Sequence, residues 1–307
     1  MKACIDIGGT KIAVSLNSGS DLDLVARRSE PTAKTGDNDA LARQVIRMVD
    51  AACAEVGVAP ASVQRAGVSS AGPFVIREGM VELAAPNICG GIAGPARGLP
   101  NSWDTALLEA PLRQRFRDVR VENDCVAALE AERRWGALQG VDHCAYVTWS
   151  TGIGTGLCVD GHVLRGKNGN AGHAGHMYVS DNDDALCGCG NIGDIEALVA
   201  GNAIARRFHT EAAALLALAK GGDVQALALV LSLCRDMGRM LYNMIITLDL
   251  QRISLGGSVF WHHREFLLPL LVEEIRGKLP ALTDGCELVP AGLQDRVGDY
   301  AALALLV

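Results

Sequence analysis

Ala3-Cys4-Ile5-Asp6-Ile7-Gly8-Gly9-Thr10-Lys11-Ile12-Ala13-Val14-Ser15-Leu16 is the stretch on which the fold turns. Apolar runs on either side of a Gly-Gly-Thr corner predict a buried strand over Ala3–Ile7, a tight turn, and a second strand over Lys11–Leu16. Adjacent glycines carry no Cβ, so the turn can approach an anion closely and aim backbone N–H groups at it. Thr10 adds a hydroxyl donor. Asp6, at the end of a buried strand, is placed to hold the hydrated Mg²⁺ that accompanies ATP.

The pattern returns in the second half. His143–Trp149 predicts a strand, Ser150-Thr151-Gly152-Ile153-Gly154-Thr155-Gly156 a second phosphate-type loop, and Leu157–Val159 another strand. A third glycine turn, Gly256-Gly257-Ser258, follows a predicted strand at Arg252–Leu255 and suits the side of an adenine ring. A single hairpin of this kind is just a tight turn; two, with hydroxyls at the corner, point to phosphate. Two familiar nucleotide motifs are missing. There is no G-x-x-x-x-G-K-[ST], and no G-x-G-x-x-G that opens a helix.

Outward from these hairpins, apolar periodicity predicts a helix from Asp39 to Val56 and a short strand over Arg65–Ser69 that ends at the turn Ala71-Gly72-Pro73. Loop sequence with Pro86, Gly90, Gly91, Pro95 and Pro100 runs to about Leu107. A strand at Val119–Val121 leads into a helix at Cys125–Trp135, and helices dominate from Ile195 to Leu248. The tail, from about Asp299, is a short helix. These elements predict two related α/β lobes with a cleft between them: residues 1–120, with 296–307 packing back on them, and residues 121–295.

Composition bounds the partners. The 307 residues are 49% hydrophobic and only 4% aromatic, with a formal net charge of −7. An acidic, aromatic-poor chain offers neither the basic surface nor the stacking platforms that nucleic acid needs, and no pull towards anionic membrane. The ten cysteines are scattered through apolar runs, unlike a secreted disulfide framework. Met1-Lys2-Ala3-Cys4-Ile5-Asp6 lacks the apolar core and cleavage site of a signal peptide, and Lys220 and Asp223 interrupt the apolar run after Ala212. Cytoplasmic location is the expectation.

Taken in order, Asp6-Ile-Gly-Gly-Thr-Lys11, Glu122-Asn123-Asp124, Ser150–Gly156, Gly172-His173-Ala174-Gly175-His176, Cys187-Gly-Cys189-Gly and Gly256-Gly257-Ser258 resemble the ROK family of sugar kinases and repressors. The likeness spans nearly the whole chain. It implies the actin-like, hexokinase-like (ribonuclease H-like) fold, with ATP and a sugar held between two α/β lobes, and a homodimer. The family's repressors carry a DNA-binding module before the first phosphate loop; Asp6 leaves no room for one, which favours the kinase branch.

Asn123-Asp124 stands where a strand meets a helix. From the residues alone a helix cap is the commoner use of Asn and Asp, but a carboxylate there can also take the proton of an attacking hydroxyl. The resemblance implies that second role for Asp124, as catalytic base. It implies sugar contacts for Asn87, Asn123, His173, His176 and Glu196, and nucleotide contacts for Asp6, Gly8, Gly9, Thr10, Lys11, Thr151, Gly152, Gly154, Gly256 and Gly257. His173 departs from the glutamate usual in glucose-phosphorylating members and matches N-acetylmannosamine kinases, which turns the expectation towards an N-acylated or amino hexose phosphorylated at its 6-hydroxyl.

His176, Cys187 and Cys189 fall within fourteen residues, a spacing and donor set that suit structural Zn²⁺. Where the family supplies a further cysteine after Gly193, this chain has Asp194, so a His-Cys-Cys-Asp site is expected. Two other uses of the fold stand beside the kinase: a non-catalytic sugar sensor and an actin-like structural ATPase. Asp124 argues against the first, and the His/Cys loop against the second.

Overall fold

The opening stretch folds as read. β1 (Lys2–Ile7) and β2 (Lys11–Asn17) pair antiparallel with Ile7 opposite Ile12, which leaves residues 8–11 as the turn. The computed structural model describes residues 1–19, 22–92, 97–181 and 184–307, and Pro95 lies outside them. The chain divides into two units: Met1–Ala131 with Arg165–Ala171 and Gly298–Val307, and Glu132–Leu164 with Gly172–Val297.

In the first unit β3 (Leu24–Pro31) extends the meander, and β4 (Arg65–Ser70) and β8 (Asp118–Asn123) add in parallel to give the order β3-β2-β1-β4-β8. A smaller sheet holds β5 (Phe74–Arg77), β6 (Met80–Leu83) and β7 (Ala106–Leu107). Helix α1 (Ala40–Glu55) buries Leu41, Val45, Met48, Val49, Ala52 and Cys53. These recur every three or four residues and form one apolar stripe packed on β2 and β3. Each large side chain so buried stabilises the unit by about 1.5–3 kcal/mol. Helices α2 (Glu109–Arg115) and α3 (Asp124–Trp135) flank β8 in sequence. The C-terminal helix Val297–Ala304 packs so closely on β4 that a Cβ on Gly67 would lie 2.1 Å from the Ala302 carbonyl oxygen.

The second unit repeats that topology. β9 (Cys144–Trp149), β10 (Ile153–Val159) and β11 (His162–Val163) form the meander, and β12 (Arg252–Gly256) and β13 (Glu287–Pro290) run parallel to β9, in the order β11-β10-β9-β12-β13. The crossover to β12 contains α4 (Ile195–Val199), α5 (Gly201–Phe208), α6 (Ala212–Lys220) and α7 (Val224–Leu248). Two units with one strand order are the actin-like, hexokinase-like fold. Among the described residues no single helix is long and apolar enough to cross a membrane.

Three expectations need correction. The first unit runs on to Ala131 rather than 120, because β8 pairs with β4 and carries the start of α3 with it. The second hairpin turns over residues 150–152 only; Gly154 and Gly156 lie in β10, opposite Thr148 and Tyr146. The stretch after Pro73 is a β5–β6 hairpin, with Arg77 opposite Met80 across Glu78-Gly79, both at positive φ.

Candidate active site

Parallel pairing brings the first unit's chemistry together. Asp6, Ser69 and Glu122 stand side by side on β1, β4 and β8, with Ile7, Ser70 and Asn123 in the next row. All three strands end here, and the carboxyl ends of parallel strands are where α/β sheets bind ligands. Asp124 opens α3 one residue later and is exposed, while Asn123 is buried. The two acids feel one another: burial and then the Asp124 charge push the Asp6 carboxyl from 3.8 up to about 6, against the pull of Lys11 and Arg27.

The cap reading of Asn123-Asp124 is also real. The Cys125 N–H donates to Asn123 Oδ1 at 3.0 Å and to Asp124 Oδ1 at 2.9 Å. These bonds fix the start of α3 and so fix where Asp124 stands; cap and base are compatible uses of one pair.

The Gly8–Lys11 turn is tied down by its neighbours. Gly8 N–H donates to the Lys11 carbonyl at 2.9 Å, Thr32 Oγ1 donates to the Gly8 carbonyl at 2.7 Å, and Thr32 N–H to the Thr10 carbonyl at 3.1 Å. Gly9 is needed for a close approach within the protein itself: a Cβ there would sit 2.8 Å from Asn87 Cβ. Asn87 is exposed and accepts a hydrogen bond from Arg97. An expected nucleotide residue and an expected sugar residue are thus in contact. Lys11 and Thr10 are exposed.

In the second unit the turn of residues 150–152 leans on the following helices. The Ser150 carbonyl accepts from Gly201 N–H at 2.8 Å and the Thr151 carbonyl from Asn202 N–H at 3.3 Å. Glu196 on α4 accepts from Ile153 N–H at 3.1 Å through Oε2, the oxygen that a Cβ on Gly152 would approach to 2.7 Å. Gly256 and Gly257 have a packing reason: added Cβ atoms would lie 2.5 Å from the Tyr146 hydroxyl and 2.5 Å from the Trp149 carbonyl oxygen, on β9. Gly172 and Gly175 lie flat on β10, 2.3 and 2.2 Å from carbonyl oxygens by the same measure. The packing role of these four glycines is not visible in the sequence, since the partners are distant in the chain. Half-buried His173 and His176 stack with centroids 6.2 Å apart.

Four potential metal ligands converge. The donor atoms of His176, Cys187, Cys189 and Asp194 all lie within 4.8 Å of one another. His176 Nδ1 is 3.1 Å from Asp194 Oδ2, 3.6 Å from Cys189 Sγ and 3.8 Å from Cys187 Sγ, and Cys189 Sγ is 3.5 Å from Asp194 Oδ2. Tetrahedral zinc with bonds of about 2.0–2.3 Å sets its ligand atoms roughly 3.3–3.8 Å apart, so the quartet fits the ion. Asp194 does two jobs, because its Oδ1 caps α4 by accepting from Ala197 N–H at 2.8 Å. Burial works to raise the Asp194 carboxyl, but the His176, Ala197 and Cys187 hydrogen bonds outweigh it and hold it below its ordinary range. The Asp194 bond correspondingly raises His176, and burial raises the Cys187 thiol strongly.

The ROK family model matches residues 2–306, and the chain belongs to the ROK family. It is 34% identical over 266 residues to an N-acetylmannosamine kinase of Escherichia coli O139:H28, covering 83% of this chain and 82% of that protein. It is 26% identical to the glucokinase of Aeropyrum pernix, over 98% of this chain and 95% of that one. Among solved structures, a ROK hexokinase from Thermus thermophilus superposes with a TM-score of 0.75 at 31% identity, covering 99% and 97% of the two chains. A Streptomyces griseus ROK glucokinase in complex with glucose and AMPPNP gives 0.67 at 27% identity, covering 98% and 97%.

Proposed function

We propose that this chain is an ATP-dependent sugar kinase that transfers the γ-phosphoryl group to the 6-hydroxyl of a hexose, with an N-acyl or amino hexose favoured. The observation that carries the reading is the Asp6–Asp124 pair at the carboxyl ends of β1 and β8, set beside the Gly9–Asn87 contact. A carboxylate pair in which burial and the neighbouring charge hold one acid well above its ordinary range costs stability and needs a use. Phosphoryl transfer supplies one, since one acid faces a cation and the other a hydroxyl.

In this reading Asp6 holds the hydrated Mg²⁺ that neutralises charge on the phosphates. The turns at Gly8–Lys11 and Thr151–Gly152 offer backbone N–H groups and hydroxyls to the phosphate oxygens, with Gly154, Gly256 and Gly257 behind the nucleotide. Asn87, Asn123, His173, His176 and Glu196 orient the sugar. Asp124 accepts the hydroxyl proton as the oxygen attacks phosphorus in line. His173 supports an acceptor other than plain glucose: imidazole offers one donor and one acceptor where a carboxylate only accepts.

The His176-Cys187-Cys189-Asp194 quartet would hold Zn²⁺ as a structural ion, its work being to fix the loop that presents His176 and α4's Glu196. None of the ten cysteines is in a disulfide, which supports a reducing, cytoplasmic setting, and we expect a homodimer. The test is a coupled ADP-release assay over glucose, mannose, glucosamine, N-acetylglucosamine and N-acetylmannosamine. Sugar-dependent turnover, largest on an N-acyl or amino hexose, is expected; no turnover on any of the five would sink the proposal.

A further inference from the structure

The segment Arg165–Ala171 belongs to the first unit although the residues on either side of it, Leu164 and Gly172, belong to the second. It is held in the first unit by two anchors. The Asn170 amide makes a two-point pair with one residue: Phe74 N–H donates to its Oδ1 at 2.8 Å, and its Nδ2 donates to the Phe74 carbonyl at 2.8 Å. That copies a strand's own pairing and holds the amide at two points. Gly169 lies against the same Phe74 ring, where a Cβ would come within 3.4 Å of Cδ2. At the other end Arg165 Nε donates to Glu122, its Nη2 lies 3.4 Å from Glu130 Oε1, and its carbonyl accepts from Ala171 N–H at 3.0 Å.

The anchor points sit on the backbones that carry the expected acceptor residues. Glu122 directly precedes Asn123-Asp124 on β8. Phe74 opens β5, which pairs with β6 so that Phe74 faces Leu83, and Ala84 N–H donates to the Pro73 carbonyl at 2.9 Å; Asn87 follows three residues later. Beyond Ala171 the chain continues through Gly172 directly into His173. The Arg165 side chain is 47% exposed and its partners Glu122 and Glu130 are 14% and 18% exposed, so solvent screens the pair on one side only and the guanidinium tethers two partly buried acids.

We propose that residues 165–171 are a strap, with Arg165 and Asn170 as positioning residues, that holds Asn87 and Asn123-Asp124 of the first unit in one fixed arrangement for the acceptor. The inference rests on the sugar-kinase reading. Displacements of about 1 Å at such a site cost up to 100-fold in rate, so the strap's effect belongs in kcat and in the sugar KM.

The test compares wild type with Asn170→Ala, Arg165→Met, Glu122→Gln and the Arg165→Met/Glu122→Gln pair. Asn170→Ala and Arg165→Met should each lower kcat/KM for the sugar at least tenfold while leaving the KM for ATP within twofold. The two changes at the Arg165–Glu122 pair should be non-additive in kcat, and Arg165→Lys should recover part of the loss. Variants that melt earlier yet keep wild-type kcat and sugar KM per folded molecule would overturn the proposal, as would additive effects at the pair. If a variant fails to fold, Arg165→Lys and Asn170→Ser carry the same comparison. A wild-type chain inactive on every sugar would remove the kinase reading instead. The strap then stands or falls on trypsin cleavage after Lys167, which is exposed between the anchors: sugar should slow it in wild type and not in Asn170→Ala, and equal cleavage with and without sugar would overturn it.

Discussion

Asp6→Asn separates function from stability at one position. Burial and the neighbouring Asp124 charge raise the Asp6 carboxyl from 3.8 to about 6 in the folded chain. The folded state therefore holds this proton more tightly than the unfolded state does. Well below pH 3.8 the carboxyl is neutral in both states and exacts no penalty. As pH rises from about 4 to 6 the unfolded chain sheds the proton first, and stability is lost; above about 6 the full penalty applies. A shift of roughly two units corresponds to about 3 kcal/mol. Asparagine keeps the shape and carries no charge, so the variant should be about 2–3 kcal/mol more stable than wild type at pH 7.5, with the difference shrinking to under about 1 kcal/mol by pH 4. The assay is urea unfolding of both proteins at pH 4, 5, 6 and 7.5, with Mg²⁺-dependent turnover measured alongside. A variant at once more stable and inactive is the signature of a charge kept for function. Equal stability of the two proteins at pH 7.5, or full activity in the variant, would refute the reasoning.

Glu132, wholly buried, accepts from Ala137, Gly292 and Leu293 N–H groups and from the Ser254 hydroxyl; Glu132→Gln should set an amide against one of these donors and cost about 2–3 kcal/mol, read as a lower urea midpoint with unchanged slope. Zinc should be present at about one ion per chain; Cys187→Ser should release it and weaken sugar binding with little change in ATP affinity, as followed by metal analysis and calorimetry. Gly9→Ala should weaken both ATP and sugar binding, because the new Cβ drives into Asn87. Adding Asn87→Gly to Gly9→Ala removes the colliding atom and should restore ATP affinity but not sugar affinity, in the same calorimetric titrations.

The hairpins were legible because their signal is local: apolar runs of strand length on both sides of a glycine corner. So was the order of motifs, which carried the fold. The β5–β6 hairpin was hidden by its small size and by Arg77, Glu78 and Glu82, whose charges break the apolar pattern. Gly154 reads as part of the turn because glycine marks turns, whereas β10 tolerates it opposite Thr148. The packing glycines, Gly67, Gly172, Gly175 and Gly257, meet carbonyl oxygens far away in sequence, and no local rule reaches so far. Glu132 and the Arg165 and Asn170 anchors are silent in the sequence for the same reason, since a single charged or amide residue announces nothing until its partners are known. The metal quartet was legible through three of its members by spacing; the fourth, Asp194, is also an ordinary helix cap.

The central claim is that Asp124 takes the proton from the attacking sugar hydroxyl, and Asp124→Asn tests it most directly. Its exposed position at the first residue of α3 makes the substitution nearly isosteric and spares the core. Asparagine Oδ1 can still accept the Cys125 N–H, so the helix start should survive. With the sugar that gives the highest wild-type turnover, ADP release and sugar binding are measured on the same preparation. The account predicts kcat lower by at least about 100-fold, the range general base catalysis supplies, with the sugar dissociation constant within about threefold of wild type. A folded variant that retains kcat within a few-fold of wild type would contradict it.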